Sequence, residues 1–546
     1  MKKTCPITNQ PFEITEDDLK FYENMGVPTP TLCPEERMRR RLAFRNERNL
    51  SKRICNSSGK EIISVHAKKT KFPVYDNEHW WGDTWDAKNY AVDFDFDRPF
   101  FEQFEELWER VPKIARLQQG TSENSKYTNA AANNKNCYLI FSAGFNEDCL
   151  YCQNLDHCRD GVDCFNIFKT ELAYQCVDCS DCYNITYSQK LNNCNDAHHS
   201  YDCLGCDNVF ACVGLRKKSY HVLNKPVKKE AFEALLKDEK KQEEVLKQLQ
   251  KIYLSEPREY CSFLRCENFS GDNLFNCKNT HDCWDCKNCE DMKYCDQMRG
   301  AQSCMDVSYF GCAGSNELIY ECEAVGIGAF NIKFSKFAGE GCANVEYSYE
   351  SYGSKDCFGC ASMRQAQYCI FNKQYSETEY KALREKIIEH MKKTGEWGEF
   401  FPVTMSPFPY NHSTAQDVLP LTKEEVLARG WKWADPEKND FASPTISSLP
   451  TTQEATNDLC KESIACTRCK RNYSILKPEL KFYKKMNLEL PDLCPQCRHE
   501  DRIKLRLPRK LWDRKCDNCS ADIQTPFSPE RPEKVFCEKC YLDAVN

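Results

Sequence analysis

The chain has 546 residues, 75 basic and 82 acidic, giving a net charge of −7, and a mean hydropathy of −0.69. That balance excludes a globally basic nucleic-acid coat, though not local basic patches. No run of about 18 apolar residues is present to cross a membrane. With 38 cysteines and modest aliphatic content, much of the core must be built from thiols and aromatic rings. The first residues, Met1-Lys2-Lys3-Thr4, turn polar at once and carry no signal-like apolar stretch. This favours a reducing cytoplasm, where thiols bind metal or pack as free side chains.

In chain order the sequence divides into eight segments. Residues 1–82 form a degenerate zinc-ribbon-like module, and 83–126 an aromatic-rich connector with a strand at 93–97 and a helix over 99–118. A first Cys-rich tract fills 127–224, followed by a helical segment, 225–257. A second tract fills 258–374, followed by a helix and a Pro- and aromatic-rich arm, 375–434, with a short helix over 422–429. Residues 435–463 have a flexible linker's composition, and 464–546 form a double Cys₄ module.

Two duplications underlie this division. The end modules share Leu-Lys-Phe-Tyr, at 19–22 and 480–483, and matched cysteine steps. These are 28 residues from Cys5 to Cys33 and from Cys466 to Cys494, then 22 to Cys55 and to Cys516. A further 21 lead to Asp76 and to Cys537. In the middle, Cys212, Arg216, Tyr220, Asn224 and Lys225 recur 148 residues later as Cys360, Arg364, Tyr368, Asn372 and Lys373.

The twelve cysteines from Cys137 to Cys212 are all separated by multiples of three. Written in blocks of six, the tract places Asp or Asn at most block ends, where a bend tolerates left-handed backbone. Two of the cysteine-free blocks, 167–172 and 185–190, lie three blocks apart, the same step that separates Cys158, Cys176, Cys194 and Cys212. The pattern predicts a mainly β fold: a duplicated Cys-rich β-solenoid of about 18 residues per coil with those four thiols in one core column. Its handedness does not follow from the pattern.

Four Cys-x-x-Cys pairs carry the strongest chemical signal: Cys466/Cys469, Cys494/Cys497, Cys516/Cys519 and Cys537/Cys540. Two such turns close one tetrahedral Zn²⁺ site, so eight thiolates predict two structural zincs, paired in sequence order rather than cross-braced. The N-terminal copy keeps only Cys5, Cys33 and Cys55, with Glu36, Asp76 and His79 as weaker candidates. In-order pairing groups Cys5, Cys33 and Glu36 apart from Cys55, Asp76 and His79; a cross-brace would instead gather Cys33, Glu36, Asp76 and His79 around one metal, and the remaining alternative is a copy held by packing without metal. Cys176/Cys179/Cys182 and Cys283/Cys286/Cys289 resemble the start of an iron–sulfur motif, but their spacing is the tract's own beat, which favours stacked core thiols.

Basic residues cluster beside both sets of knuckles, eight against three acidic in each case. Arg39, Arg40, Arg41 and Arg45 in one copy, and Arg498, Arg502, Arg506, Arg509 and Lys510 in the other, suit phosphate contact by bidentate donors. The competing reading is a face that pairs with the protein's own carboxylates.

Val-Pro-Thr-Pro-Thr-Leu-Cys-Pro (27–34), Leu-Ala-Phe-Arg-Asn-Glu-Arg (42–48) and Asp-Phe-Asp-Phe-Asp-Arg-Pro-Phe-Phe-Glu-Gln-Phe (93–104) carry a family resemblance. So does Ile-Ile-Glu-His-Met-Lys-Lys-Thr-Gly-Glu-Trp-Gly-Glu-Phe-Phe (387–401). Across nearly its whole length the chain resembles cysteine-rich zinc-ribbon and β-solenoid proteins of ultra-small candidate-phyla bacteria. The resemblance implies this architecture and a bacterial cytoplasmic home, and nothing about a reaction. Relatives carry full Cys-x-x-Cys pairs in the N-terminal module as well, and this chain departs there.

No nucleophile–base pair, phosphate-cradling loop or open metal site stands out. The sequence therefore points to a non-enzymatic, zinc-stabilised scaffold that binds RNA or a ribonucleoprotein through its Arg-rich modules. Two alternatives stay open: cysteine-based metal buffering or thiol redox chemistry, and a purely structural scaffold for protein partners.

Overall fold

A computed structural model describes residues 1–295, 299–302, 304–305, 317–326, 328–435 and 443–545, and divides the chain into two units that interleave in sequence. One contains 1–116, 261–434 and 509–511; the other contains 117–260, 435–508 and 512–546. Each thus combines one Cys-rich tract with one terminal module. Both are strand-rich, and their main sheets are parallel.

The second of these units holds the first tract. Along one side Asn129, Phe141, Gln153, Phe165 and Val177 pair in parallel, each with the next. Along another, Arg159, Glu171, Tyr183, Asn195, Asp207 and Ser219 do the same. Every step is 12 residues, the separation also spanned by the side-chain bonds from Asn154 to Asn166 and from Asn184 to Asp196. The chain therefore returns to the same register after two blocks of the sequence pattern, not the three expected from the cysteine-free blocks. Cys158 and Cys194 consequently fall at one position of the circuit and Cys176 and Cys212 at another, and the four do not form one column.

The underlying beat is shorter still. Every third residue from Asn124 to Leu223 has positive φ, so each circuit has four bends and three residues per side. A non-glycine residue in the left-handed region costs about 1–2 kcal/mol, and the residue types reflect it. Asn and Asp dominate these slots, and among the described positive-φ residues none is Val, Ile or Thr. Asn side chains in the slots extend the backbone ladder: Asn154 donates to Asn166 Oδ1 at 2.6 Å, and Asn184 to Asp196 Oδ1 at 2.6 Å.

The residues directly after the bends point inward and most are buried, cysteine most often. Most thiols of the first tract donate to two backbone carbonyls, one two residues back and one in the next circuit. Cys152 Sγ lies 3.1 Å from Leu150 O and 3.4 Å from Gly161 O; Cys194 Sγ lies 3.4 Å from Asn192 O and 3.3 Å from Cys203 O. Ser188 makes the same pair of contacts, at 2.9 and 3.4 Å. A small side chain with a weak donor is what so narrow an interior accepts.

Each tract ends in an antiparallel hairpin, Ser219–Val222 with Lys225–Pro226 and Gln367–Ile370 with Lys373–Gln374. The recurring asparagines close the ladder there. Asn224 accepts from Val213 N–H at 2.8 Å and donates to Val213 O at 2.8 Å; Asn372 does the same with Ala361 at 2.8 and 3.0 Å. The planar amide thus stands in for the next strand. Helices Lys229–Leu236 and Glu239–Ser255 follow the first hairpin, and Glu377–Thr394 the second. The second tract keeps the same step from Ala343 through Lys355 to Gln367. It is also 12 from Phe275 to Lys287 and on to Arg299, but 11 from Phe263 to Leu274, 15 from Cys304 to Ile319 and 13 from Phe330 to Ala343.

The terminal modules repeat one element order: hairpin, two helices, hairpin, short strand, helix. Three expectations for the connecting segments change, the first being the helix over 99–118, which ends at Arg110 and is followed by strands Lys113–Ile114 and Gln118–Gln119. Residues 93–97 form no strand, because Gln103 binds the turn instead: Asp95 N–H donates to Gln103 Oε1 and Gln103 Nε2 to Asp95 O, both at 2.8 Å. The helix Phe100–Arg110 buries Phe100, Phe104, Leu107 and Trp108, residues at helical spacing. Of the expected flexible linker, 436–442 lie outside the described residues. The remainder is packed: Ala455 and Leu459 are buried with Ile475, Leu480 and Tyr483, and Ser463 N–H donates to Thr445 Oγ1 at 2.7 Å. No helix among the described residues is long and apolar enough to cross a membrane.

Candidate metal centres

The C-terminal module presents its thiols from two kinds of turn. Cys466 and Cys516 close hairpin knuckles in which Lys470 and Ser520, four residues on, adopt positive φ. Cys494 caps helix Pro495–Lys504, which places Cys497 in its first turn. Cys537 precedes helix Glu538–Val545, which places Cys540 likewise. The eight thiols gather in sequence order: Cys466, Cys469, Cys494 and Cys497 in one group, Cys516, Cys519, Cys537 and Cys540 in the other. Within each group the sulfurs all lie within 4.8 Å of one another. The Cys466–Cys497, Cys469–Cys494 and Cys519–Cys537 Sγ separations are each 3.7 Å. That is far from a disulfide bond, and it matches the edge of about 3.8 Å in a tetrahedron with metal–sulfur bonds of about 2.3 Å. These are the groups of three or more His, Cys, Asp or Glu that converge in this way among the described residues. They can hold two metal ions.

Burial pushes the Cys466 thiol up, but the N–H groups of Cys494, Cys469 and Arg468 outweigh it and bring it down to about 6. Cys516 is likewise brought down to about 6, by the N–H groups of Cys519, Cys537 and Asn518 acting against burial. N–H groups directed at sulfur favour the thiolate that a soft metal needs.

The N-terminal module keeps the turns and changes the chemistry. Cys5 and Cys33 remain, but Glu36 is taken: Arg39 Nε lies 3.0 Å from its Oε1 and Arg429 Nη1 2.9 Å from its Oε2. Its carboxylate therefore does not join the two thiols, which corrects the grouping expected from spacing. Burial raises the Cys5 thiol, but the N–H of Cys33, the Thr8 hydroxyl and the N–H groups of Thr8 and Ile7 bring it down to about 7.

In the second knuckle, Cys55, Ser58, Asp76 and His79 occupy the places of Cys516, Cys519, Cys537 and Cys540. Asp76 N–H donates to Cys55 Sγ at 3.3 Å, as Cys537 N–H does to Cys516 Sγ at 3.3 Å. Ser58 Oγ donates to Asp76 Oδ2 at 2.8 Å, His79 N–H to Asp76 Oδ1 at 2.9 Å, and the His79 ring Nδ1 lies 3.0 Å from Oδ1. Burial opposes the charge, yet these donors hold the Asp76 carboxyl well below the usual carboxylate range. One carboxylate satisfies the knuckle where its counterpart has four thiols.

The Arg-rich stretches do not face solvent, which overturns their assignment to nucleic acid. Arg39, Arg41, Arg45, Arg498 and Arg502 are buried. Arg40 Nη2 lies 2.8 Å from Glu321, and Arg45 Nη1 2.7 Å from Glu323. Arg498 Nε and Arg502 Nη1 both lie 2.9 Å from Asp163, which is 0% exposed. Arg506 lies 3.4 Å from Asp178 and Arg509 3.0 Å from Asp285. Only Lys510 of the nine is exposed. Asp163 and Glu321 are the functional residues that spacing missed: Asp163 occupies a bend slot that otherwise reads as a solvated turn.

The iron–sulfur-like runs do not converge either. Cys176, Cys179 and Cys182 point inward from three successive sides of one circuit, each bonded to the carbonyl two residues back at 3.3, 3.4 and 3.1 Å. Burial pushes Cys158 and Cys212 up to about 12, the state of an inert structural thiol. No protein-family model, no curated protein and no solved structure matches the chain.

Proposed function

We propose that the chain is a non-enzymatic scaffold: two β-solenoids with four sides to each coil, one of them braced by a double zinc module. The observation that carries the reading is the 3.7 Å spacing of sulfurs in two closed Cys₄ groups, the spacing of structural Zn²⁺ with no open position for chemistry. All-sulfur tetrahedra favour zinc over hard cations. The arginines that suit phosphate by their spacing serve internal carboxylates, so the partner surface is better sought on the long strand faces, and a protein is the partner class they favour. Metal analysis of protein purified without oxygen tests this. Two zincs and no iron per chain are expected, with no RNA retained at low salt. Absence of metal, or an iron–sulfur absorbance, overturns it.

A further inference from the structure

The places of Cys466, Cys469, Cys494 and Cys497 are held in the N-terminal copy by Cys5, Thr8, Cys33 and Glu36. Two thiols survive, and the other two places carry oxygen. Glu36 is committed to Arg39 and Arg429. Thr8 Oγ1 lies 4.0 Å from Cys33 Sγ, where Cys469 Sγ lies 3.7 Å from Cys494 Sγ.

The turns presenting the sulfurs match in the two copies. Cys5 N–H donates to Gln10 O at 2.9 Å and receives Asn9 N–H at its own carbonyl at 2.9 Å; Cys466 does so with Arg471 and Lys470 at 2.9 and 3.1 Å. Arg37 N–H donates to Cys33 O at 3.0 Å, as Arg498 N–H does to Cys494 O at 3.1 Å. The two turns also meet alike, the Cys33 N–H being directed at the Cys5 sulfur as the Cys494 N–H is at Cys466, which holds Cys5 and Cys33 in the relation of Cys466 and Cys494, whose sulfurs lie within 4.8 Å. From there a short closing movement makes a bond. Cys33 is half-buried and Cys5 buried, so one thiol is reachable and the second can resolve it.

We propose that Cys5 and Cys33 are a reversible redox pair. A hydroperoxide transfers one oxygen to the Cys33 sulfur, giving a sulfenic acid and releasing the alcohol. The Cys5 sulfur then attacks the Cys33 sulfur, the S–O bond breaks, and water leaves. Two thiols and one hydroperoxide become one disulfide, one alcohol and one water. Two equivalents of a small thiol reverse the oxidation. The disulfide would tie the first hairpin to the helix Pro34–Leu42.

Full-length reduced protein is treated with one equivalent of tert-butyl hydroperoxide, alkylated and peptide-mapped, with metal counted before and after. A Cys5–Cys33 cross-linked peptide, two hydrogens lighter than its parts and released by dithiothreitol, is expected, with unchanged metal content. Cys33→Ser should abolish the cross-link and leave Cys5 alkylatable. Because that variant could fail to fold, mapping of the unmodified sequence is decisive by itself. Both thiols still alkylatable, Cys33 over-oxidised alone, Cys5 bonded elsewhere, or a third metal protecting the pair would each overturn the proposal. Metal loss without the cross-link would place the oxidation in the Cys₄ groups instead and overturn it too.

Discussion

The two terminal modules share one backbone and close their knuckles by different chemistry. In the C-terminal copy each pair of knuckles brings four thiols to one point. In the N-terminal copy the second knuckle closes on Asp76, which takes hydrogen bonds from Ser58 and His79, and the first retains only a pair of thiols. A four-thiol group able to hold a metal and a hydrogen-bonded carboxylate thus solve the same local problem, satisfying the N–H groups of a tight turn. They differ in what can undo them. A chelator competes for metal, whereas acid competes for a carboxylate. Docking onto the neighbouring tract, by contrast, is the same in both copies: arginines of the second module helix meet a buried carboxylate of a bend in that tract, Glu321 in one unit and Asp163 in the other.

The largest expected effect is on metal removal. Structural zinc supplies about 10 kcal/mol or more of folding free energy in small metal domains, so exhaustive chelation should unfold 464–545 and leave 1–82 folded. Hydrogen exchange followed by mass spectrometry reads both in one experiment, and equal loss of protection in the two modules would break the comparison. Next come the docking carboxylates. Asp163→Ala leaves buried Arg502 without its carboxylate and Arg498 with Glu479 alone, and should cost about 3–5 kcal/mol. Glu321→Ala should cost a similar amount, and thermal unfolding of each variant measures it.

A smaller effect is expected at Asp76. Removing a half-buried acceptor of several hydrogen bonds costs about 1–3 kcal/mol, so Asp76→Ala should loosen the N-terminal module without changing metal content. The pH dependence follows from the sign of the shift. A carboxyl held low in the folded state stabilises above its unfolded value of about 3.9, and that stability is lost as pH falls below it. Exchange protection of 51–79 should therefore fade below about pH 4 in the native chain and be flat there in the Asp76→Ala variant. The smallest effect is expected for Cys194→Ser, below about 1 kcal/mol. Ser188 and Ser200 already occupy inward positions of the same tract, with Oγ at 2.9 and 3.0 Å from the carbonyl two residues back. Chemical denaturation checks it, and a large loss would show that sulfur bulk rather than the donor fills the core.

The three-residue beat of the tracts is legible in the cysteine spacing because each side of the circuit has three residues and one inward position. The number of sides is not. Any multiple of three keeps thiols inward, and cysteine-free blocks set three blocks apart suggested six sides, whereas the parallel register makes four. Asn224 and Asn372 stand out in the sequence as a recurrence, yet only the structure reveals them as substitutes for a missing strand. The arginines mislead for a related reason. Charge is written in the sequence, but whether a guanidinium meets water or a buried carboxylate is decided far along the chain. The deciding carboxylate lies 281 positions from Arg40 and 339 from Arg502.

What the amino-acid sequence determines alone is local: which residues turn, which point inward, and which thiols are spaced to share a metal. Those follow from side-chain size, left-handed tolerance and the reach of a Cys-x-x-Cys turn, all set within a few residues. Tertiary structure decides the circuit length, the partners of the arginines and the fate of Glu36. Each of these depends on which distant surface arrives beside it, and burial then forces every charge it covers to find an opposite one.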